Sequence, residues 1–598
     1  MSTCGYRKLQ LDRTRYHWLI SVTRTCTTWA DAGLQRCNER ALQRSQTSNS
    51  PLAKKCYSVA NSICQAFYSL AKVLGLLAAN IINTLWLLVT NIIWITCRLF
   101  NRGKQKQDPI KHVFVVMLEN RSFDHMLGLS TIHGIDAITS APTTIEGLNP
   151  TNNWNTDTLG NKYVASSPAP WVMPADPGHE FNDVQEQLCG IDGKYPHINN
   201  NGFVTNYSRI DPTHPDDIMQ CYAPNQVPVL NTLSQEFAVC DHWFSSLPGP
   251  TWPNRFFIHA ASSGGLDHSP PLPSELSSVL YNGYKFDNGT IYDELDDENV
   301  SWTIYHGDAF PQALAISGMT AHLLDGHMRD FKDFSKDVNN PNYATSYTFI
   351  EPNYGKFSAN FTCGNSQHPT DDVTRGERFL KTIYETIRNS PHWNNSLLII
   401  IYDEHGGFFD HVPPPQTVAP GDSITDPENS RFNFDFKLLG VRVPAVIVSP
   451  LIPKGIIDHT IYDHTSVLAT IENIFGILPL TNRDKHANTF KHLLSLTLPR
   501  TDTPTTLPEA AYSGIWCEGD PEPIPGTIPL NVRETQQTPS AAPMNHSTRG
   551  FVHIAFLRDL LKTPPEEKAD RTSRFLSVNT HGDAMQYMHE VRQKIEPN

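Results

Sequence analysis

HVFVVML, residues 112–118, runs directly into ENRSFDH, residues 119–125. The first seven residues are almost all β-branched, aromatic or aliphatic, which predicts a strand that is buried on both faces. Glu119 and Asn120 then stand where that strand ends. Open α/β sheets bind their ligands at the carboxyl ends of the strands, so we expect the functional site of this chain to include these two residues.

Four further apolar runs end at reactive side chains. They are residues 237–240 before Asp241 and His242, 302–305 before His306, 397–402 before Asp403, Glu404 and His405, and 443–448 before Ser449. Helical patterns and long loops rich in Pro, Asn and Gly separate these runs, which predicts an α/β fold. We expect several of the strands to present polar groups at one common edge of the sheet.

The charge of the 598-residue chain is unevenly distributed. Residues 1–107 carry a net charge of +12 and the remainder carries −26. An enzyme acting on nucleic acid is expected to have a basic main body, so nucleic acid is excluded as a partner. The basic first segment instead favours either contact with anionic lipid or a solvated tail. Eleven cysteines without C-x-x-C spacing argue against a zinc ribbon, and leave one or two disulfides open.

The basic segment also contains a candidate membrane span. No charged residue occurs from Val73 to Cys97, a length that can cross a bilayer. Asparagines at 80, 83 and 91 favour the alternative of a buried or interfacial helix. We expect a membrane-associated, single-pass protein. Its catalytic side is left open between cytoplasmic and lumenal or extracellular, and the basic residues near the span slightly favour the cytoplasm.

Three regions are expected along the chain. Residues 1–107 form the basic N-terminal segment, and residues 108–490 form the catalytic domain. Residues 491–598 are predicted to form a Pro-rich linker and a C-terminal helical appendage, with helices over 555–562 and 582–594.

Glu119, Asn120, Asp403 and Glu404 offer the carboxylate and amide oxygens that a hard divalent cation prefers. The expected metal is Ca²⁺, Mg²⁺ or Mn²⁺. Zn²⁺ stays open because four histidines stand in separate motifs: His179, His306, His368 and His464. The alternative is that these acids only cap the helices after each strand.

PGPTWPNRFFIH, residues 248–259, places Thr251 just before an expected helix start, with Pro253 in the first turn. A helix N-terminus stabilises an alkoxide and donates N–H groups to phosphate, so Thr251 is our candidate nucleophile, activated by the metal. The plainer interpretation is an N-cap threonine. Asn254 and Arg255 are suitable donors to phosphate oxygens, although either could be a surface residue.

Two loop histidines complete the candidate set. His179 lies in DPGHEF, residues 176–181, and His368 in QHPTDDV, residues 367–373. A histidine in such a loop can donate to a developing oxyanion or protonate a leaving alkoxide, but it can equally be a supporting or surface residue. His464 stands in the turn YDHTS, residues 462–466, before an expected helix over 467–475, where a plain capping turn is the alternative.

Taken together, these stretches resemble the phosphoesterase family of non-specific phospholipases C and acid phosphatase A type enzymes, within the alkaline-phosphatase superfamily. The matching strings are ENRSFDHMLG (119–128), DPGH (176–179), PTWPNR (250–255), HP (368–369), YDEHGGFFDHV (402–412) and DHTS (463–466). The resemblance covers roughly residues 108–480, and TWPNR is closer to the plant phospholipase C branch.

The resemblance implies a three-layer αβα fold with a mainly parallel sheet. It also implies a metal bound by Glu119, Asn120, Asp403 and Glu404 together with Thr251, which attacks phosphorus to give a phospho-enzyme. Three histidines would line the phosphoryl pocket: His179, His306 and His368. Apart from what the resemblance implies, three further residues are expected to bind substrate: Asn254, Arg255 and His464.

The favoured activity is phospholipase C cleavage of glycerophospholipids to diacylglycerol and a phosphorylated head group, with a phospholipid and a membrane as partners. A phosphomonoesterase with the same site is the first alternative. A non-catalytic, membrane-anchored binding protein is the second. The oligomeric state is left open.

Overall fold

The computed structural model describes residues 108–276, 279–355, 363–422, 431–517 and 539–596. The basic segment 1–107, with its candidate span at 73–97, lies outside these residues. Within the described ranges, no helix has both the length and the apolar character needed to cross a membrane.

The described residues form twelve strands and fourteen α-helices. The strands are β1 (His112–Leu118), β2 (His133–Asp136), β3 (Pro142–Thr144), β4 (Trp154–Thr156), β5 (Lys162–Val164), β6 (Ala238–Cys240), β7 (Trp302–His306), β8 (Met328–Asp330), β9 (Tyr347–Glu351), β10 (Ser396–Tyr402), β11 (Ala445–Val448) and β12 (Ile456–Asp458).

The helices are α1 (Phe123–Leu127), α2 (Phe181–Cys189), α3 (Phe203–Tyr207), α4 (Pro228–Glu236), α5 (Thr251–Ala260), α6 (Ile291–Asp297), α7 (His322–Asp325), α8 (Phe334–Val338), α9 (Val373–Arg388), α10 (Thr465–Phe475), α11 (Asn482–His486), α12 (His546–Leu561), α13 (Lys568–Leu576) and α14 (His581–Ile595).

Ten strands form one central sheet in the order β3-β2-β12-β6-β11-β10-β1-β9-β7-β8. β1 pairs in parallel with β10 on one side and β9 on the other. β7 pairs in parallel with both β9 and β8, whereas β11 and β3 run antiparallel to their neighbours. The expected α/β fold with a mainly parallel sheet is therefore confirmed; its division into three layers stays a prediction.

The apolar run at 112–118 forms β1 as predicted. Every residue of β1 and of β10 is buried, so both faces of these strands are covered. Both strands also lie in the interior of the sheet, with a paired strand on each side. A strand covered on both faces needs a continuous apolar sequence rather than an alternating one. The apolar runs that precede Glu119–Asn120 and Asp403–Glu404 therefore form the centre of the hydrophobic core.

One of the five apolar runs does not lead to the common edge. The apolar run before Ser449 forms β11, which is antiparallel to β10. Ser449 consequently lies at the opposite end of the sheet, where its Oγ donates to the carbonyl of Ser396, the first residue of β10, at 2.9 Å. The apolar pattern of a strand carries no information about its direction, so the sequence could not reveal the reversal.

The C-terminal helices pack on the same core as the sheet. α12 begins at His546, well before the expected residue 555, and its Gly550 faces the indole of Trp252 so closely that a Cβ atom would lie 2.1 Å from the ring. The ring of Phe551 contacts the same indole, with 5.5 Å between centroids. Helix α12 therefore covers the start of α5, where Thr251 lies.

Candidate active site

Two neighbouring parallel strands deliver the acidic residues of the site. β1 ends at Leu118 and β10 at Tyr402, and these two residues are paired in register. The next residue on each strand, Glu119 and Asp403, therefore emerges at the same edge of the sheet. The backbone N–H of Asp403 still donates to the carbonyl of Leu118 at 3.2 Å, which holds the two loops together.

Thr251 is brought to this edge by α5. Pro250 occupies the N-cap position and Thr251 is the first helical residue, so Thr251 does not act as the N-cap. Its Oγ1 instead accepts a hydrogen bond from the side-chain amide of Asn120 at 3.1 Å, and the same amide donates to Glu404. The hydroxyl, the amide and the carboxylate thus converge on one point at a helix N-terminus.

The loop that carries Asn120 has an unusual backbone. Asn120 has a φ of 55°, in the left-handed region that Asn tolerates better than most residues. Gly406 also has a positive φ, of 64°, and approaches the Asn120 carbonyl so closely that a Cβ atom would lie 2.2 Å from the oxygen. The two loops that follow β1 and β10 are therefore fitted directly against each other.

Arg255 ties the acidic residues together from α5. Its Nε donates to Asp403 at 2.9 Å, and its Nη2 lies 3.7 Å from Glu119. Nη2 also donates to the carbonyls of Met117 and Leu118. Because α5 carries both Thr251 and Arg255, this buried guanidinium fixes the helix relative to the ends of the strands.

The three carboxylates of the site differ in their pKa shifts. Burial alone would raise the pKa of Glu404, but the charge of His179 and the hydrogen bond with His405 hold it below its ordinary value. Burial raises the pKa of Glu119 to about 8 despite the nearby Arg255. Burial also raises the pKa of Asp403 to about 6, with Arg255 opposing the shift and Glu404 adding to it. A bound cation would favour the ionised form of these buried acids.

His179 and His368 stand beside this group and differ in the direction of their pKa shifts. Burial alone would lower the pKa of His179, but the carboxylates of Glu404 and Asp176 raise it to about 9. Burial, together with the charges of His179 and Arg121, lowers the pKa of His368 well below its ordinary value. The two rings lie 6.4 Å apart. The pKa values of the two imidazoles are thus shifted in opposite directions, towards the charged form at His179 and towards the neutral form at His368.

His306 lies further from the group. It ends β7, which is separated from β1 by β9, and its Nδ1 contacts the carbonyl of Asp308 at 2.7 Å. Burial lowers the pKa of its imidazole. Among the contacts of the described residues, none joins His306 to Thr251 or Asn120. Its role in the pocket stays a prediction.

The three residues predicted to bind substrate all contact protein groups. Asn254 accepts from the N–H of Leu247 at 3.1 Å and donates to three carbonyls of the 247–250 loop. Arg255 holds the acids described above. The Nε2 of His464 lies 2.6 Å from the Asp403 carbonyl. Substrate binding by these residues stays a prediction, whereas their support of the loops is observed.

Two residues outside the predicted site support it, and one of them was missed in the sequence. Gln312 donates to Glu119 at 2.8 Å, and Arg121 donates to the carbonyls of Gln367 and His368 at 2.7 and 3.1 Å. Arg121 stands inside the ENRSFDH string, where the sequence favours a supporting role for residues 121–125. Gln312 follows no motif, because its contact joins positions 193 residues apart.

The residues of the site differ slightly in exposure. Glu119, Asn120, Asp403 and Glu404 are at most 1% exposed, while Thr251 retains 5%. Thr251 is therefore the most exposed residue of this group.

Three clusters of the described residues, none of which includes Glu119, Asp403 or Glu404, bring possible metal-binding atoms within 4.8 Å of one another. They are Asp124, Asp410 and His411; Asp211, His214 and Asp217; and His322, Asp325 and His327. The first surrounds Arg442, whose guanidinium pairs with Asp124 at 2.9 Å and Asp410 at 2.8 Å. That cluster already has its cation and joins α1 to the 403–411 loop.

Comparison with known proteins identifies relatives for most of the described chain. Residues 110–478 match the Phosphoesterase family. Non-specific phospholipase C6 of Arabidopsis thaliana is 39% identical over 428 residues, covering 68% of this chain and 76% of the relative. Non-specific phospholipase C3 of the same plant is 36% identical over 429 residues (68% and 77%). Phospholipase C B of Mycobacterium tuberculosis is 28% identical over 418 residues (62% and 74%).

A match over more than half of the chain, with relatives of this similarity, defines the class: the protein is a hydrolase of phosphoric esters. The chain belongs to the phosphoesterase family, as its motifs indicated. Solved structures show a weaker likeness. A protein in the alkaline phosphatase superfamily from Vibrio parahaemolyticus is 14% identical, with a TM-score of 0.26 over 44% of this chain and 64% of that chain.

Proposed function

We propose that this protein is a phospholipase C that cleaves glycerophospholipids to diacylglycerol and a phosphorylated head group. The observation that carries the proposal is the convergence of the Thr251 hydroxyl, the Asn120 amide and the Glu404 carboxylate at the start of α5. The relatives named for phospholipase C activity support the substrate class.

The residues present suit a divalent metal. Asn120 Oδ1 is buried and has no hydrogen-bond partner among the described residues. It lies among three carboxylates whose burial disfavours their charge, and oxygen donors of this kind suit hard cations. Glu119, Asn120, Asp403 and Glu404 would hold the ion together with Thr251. When bound, the metal would lower the pKa of the threonine hydroxyl and offset charge on phosphoryl oxygens.

The chain's own groups then account for the rest of the reaction. Thr251 Oγ attacks phosphorus and loses its proton to solvent water, and the bond from phosphorus to the glycerol oxygen breaks. The imidazole of His179, whose pKa the carboxylates of Glu404 and Asp176 raise, stabilises the added negative charge and gives its proton to the glycerol oxygen, which releases diacylglycerol. Water then attacks the phosphorus of the threonine phosphodiester and returns a proton to His179. The bond to the threonine oxygen breaks, which releases the phosphorylated head group, and that oxygen takes up a proton from solvent.

The activity is tested with the full-length chain in detergent. We expect diacylglycerol release from phosphatidylcholine vesicles, with weaker turnover of a soluble phosphomonoester, and Thr251→Ala should abolish both. Thr205→Ala is the matched control, because Thr205 is a buried threonine whose hydroxyl donates only to a backbone carbonyl in the described structure.

Rapid turnover of the monoester without diacylglycerol release would instead establish a phosphomonoesterase. Activity in neither Thr251→Ala nor the unaltered chain would support the non-catalytic alternative. Equal activity of an active unaltered chain and Thr251→Ala would show that Thr251 is not the nucleophile.

We also infer that the enzyme is membrane-associated, with its catalytic side in an oxidising compartment. The uncharged run at 73–97 supports the first statement. The disulfide Cys363–Cys517 supports the second, because disulfides persist in the secretory pathway and outside the cell. The sequence alone slightly favoured the cytoplasm. Protease added to sealed microsomes should leave residues 108–598 intact; their digestion would place the body on the cytoplasmic side.

A further inference from the structure

We propose a second metal site, distinct from the catalytic one, formed by His322, Asp325 and His327 and suited to Zn²⁺. One ligand atom from each of the three side chains lies within 4.8 Å of the others. His322 and Asp325 belong to α7, and His327 follows the turn at Gly326, immediately before β8. Two imidazoles and one carboxylate are the donor set of a borderline transition metal, whereas Ca²⁺ and Mg²⁺ prefer oxygen ligands alone.

The imidazole of His327 is oriented for coordination by its surroundings. Its Nδ1 donates to the carbonyl of Trp302 at 2.9 Å, which leaves Nε2 as the atom with a lone pair. The ring also stacks on the Trp302 indole at 4.0 Å between centroids and 26° between planes. Metal-bound histidines usually have their second nitrogen held in this way by a carbonyl or carboxylate.

The other two ligands are held close together. His322 Nδ1 lies 2.7 Å from Asp325 Oδ2. Two ligands of a tetrahedral zinc ion are about 3.3 Å apart when each bond is about 2.0 Å long, so a small opening of this pair would admit the ion. Asp325 Oδ1 meanwhile accepts from the N–H of His327 at 3.1 Å, which closes the turn. Asp325 is 47% exposed, which provides an entry path and a place for a water as fourth ligand.

The other two clusters are poorer candidates. In the cluster of Asp124, Asp410 and His411, the guanidinium of Arg442 already supplies the positive charge. The second offers a single imidazole, that of His214, and Asp211 Oδ1 there accepts from the backbone of Thr213 and His214. Only the His322 cluster, among the three, joins two imidazoles with an accessible carboxylate.

The proposed zinc site lies away from the candidate active site. The two histidines pack against Trp302, the first residue of β7, whereas His306 at the catalytic edge is its last. Five strand residues span about 13 Å. A bound ion would link α7 to the residue before β8, the edge strand. We therefore assign it a stabilising role.

The test compares zinc binding by the EDTA-treated full-length chain and by a His322→Gln/His327→Gln variant, using titration calorimetry. Both side chains are partly exposed, so the variant should fold. We expect it to bind one Zn²⁺ fewer per chain, or to bind that ion at least about tenfold more weakly, because even the loss of an outer partner costs about 10–100-fold. This difference does not depend on whether the catalytic site also takes zinc.

His214→Gln is the matched control and should bind zinc like the unaltered chain. Zinc should raise the thermal unfolding midpoint of the control but raise it less in the double variant, while phosphoester hydrolysis stays equal in both. Equal zinc stoichiometry and affinity in the double variant and the unaltered chain would overturn the proposal, as would loss of the same ion from His214→Gln.

Discussion

Glu119 is the residue whose role depends most on the presence of a metal. Replacing it with Gln should lower the content of bound Ca²⁺ or Mn²⁺ and reduce turnover at least about 100-fold, because removing a direct ligand should exceed the cost of about 10–100-fold for losing an outer partner. Metal analysis and a lipid assay on the same preparation measure both effects.

The control is Glu377→Gln. Glu377 is equally buried, but its carboxylate accepts from the backbone N–H groups of Val229 and Leu230 at the start of α4. Its loss should lower stability and leave the metal content unchanged. Full metal content in Glu119→Gln would refute its assignment as a ligand.

His411 should make stability depend on pH. Burial alone would lower the pKa of its imidazole, but the hydrogen bond from Nδ1 to Asp124 at 2.7 Å, together with the charge of Asp124, raises it above its ordinary value. A histidine whose pKa is higher in the folded state stabilises fully below its unfolded pKa of about 6.5, and this contribution is lost as the pH rises through the folded pKa.

We therefore expect His411→Asn to reduce the free energy of unfolding by about 1 kcal/mol more at pH 5.5 than at pH 9. Denaturant unfolding at the two pH values measures the difference. An effect of equal size at both values would show that the charge of His411 does not contribute.

At the scale of the elements, the loops after β1 and β10 must fit against each other. Gly406→Ala would place a Cβ atom 2.2 Å from the Asn120 carbonyl oxygen, in addition to the cost of its positive φ. We expect turnover to fall at least about tenfold and the free energy of unfolding to fall by about 1–3 kcal/mol.

Gly160→Ala is the matched control, since Gly160 also has a positive φ, of 81°, but an added Cβ atom there would have nothing within 4 Å. This variant should show the conformational cost alone and keep full activity. Equal activity of the two variants would mean that the contact between the loops does not position the site.

The strands β1 and β10, which end at Glu119 and Asp403, could be predicted because the apolar pattern of each lies within its own short stretch of sequence. The apolar runs 112–118 and 397–402 became β1 and β10 within one residue, and the PTWP string placed the start of α5. The direction of β11 could not be predicted, because an apolar run is the same pattern in either direction. Nor could the contact of Gln312 with Glu119, since it depends on which distant segments meet in the folded chain. The contacts of Asn254 are local, but an Asn side chain at this position suits a loop carbonyl and a phosphate oxygen equally well.

At the scale of the whole molecule, a disulfide joins the catalytic domain to its C-terminal region. Cys363 and Cys517 are 154 residues apart in sequence, and Cys363 lies five residues before His368. Ser513 on the same C-terminal segment donates to Asp372 at 2.5 Å. The segment before Cys517 is thereby held against the loop that carries His368.

Removing this link should lower stability by about 2–4 kcal/mol, the usual effect of a disulfide that closes a long loop. Reduction with dithiothreitol should lower the unfolding midpoint of the unaltered chain and have no further effect on Cys363→Ser/Cys517→Ser. The other cysteines that the structure describes, Cys189, Cys221 and Cys240, are buried free thiols. A further drop in the double variant would show that another disulfide contributes.

The central claim is that Thr251 attacks phosphorus, and it can be tested by trapping the phospho-enzyme. The full-length chain is mixed with phosphatidylcholine, quenched in acid within milliseconds, digested and examined by mass spectrometry. We predict a phosphorylated head group attached to Thr251 in the 250–255 peptide, and its disappearance in Thr251→Ala together with turnover. Undiminished diacylglycerol release by Thr251→Ala, with no adduct on Thr251 in the unaltered chain, would contradict the claim.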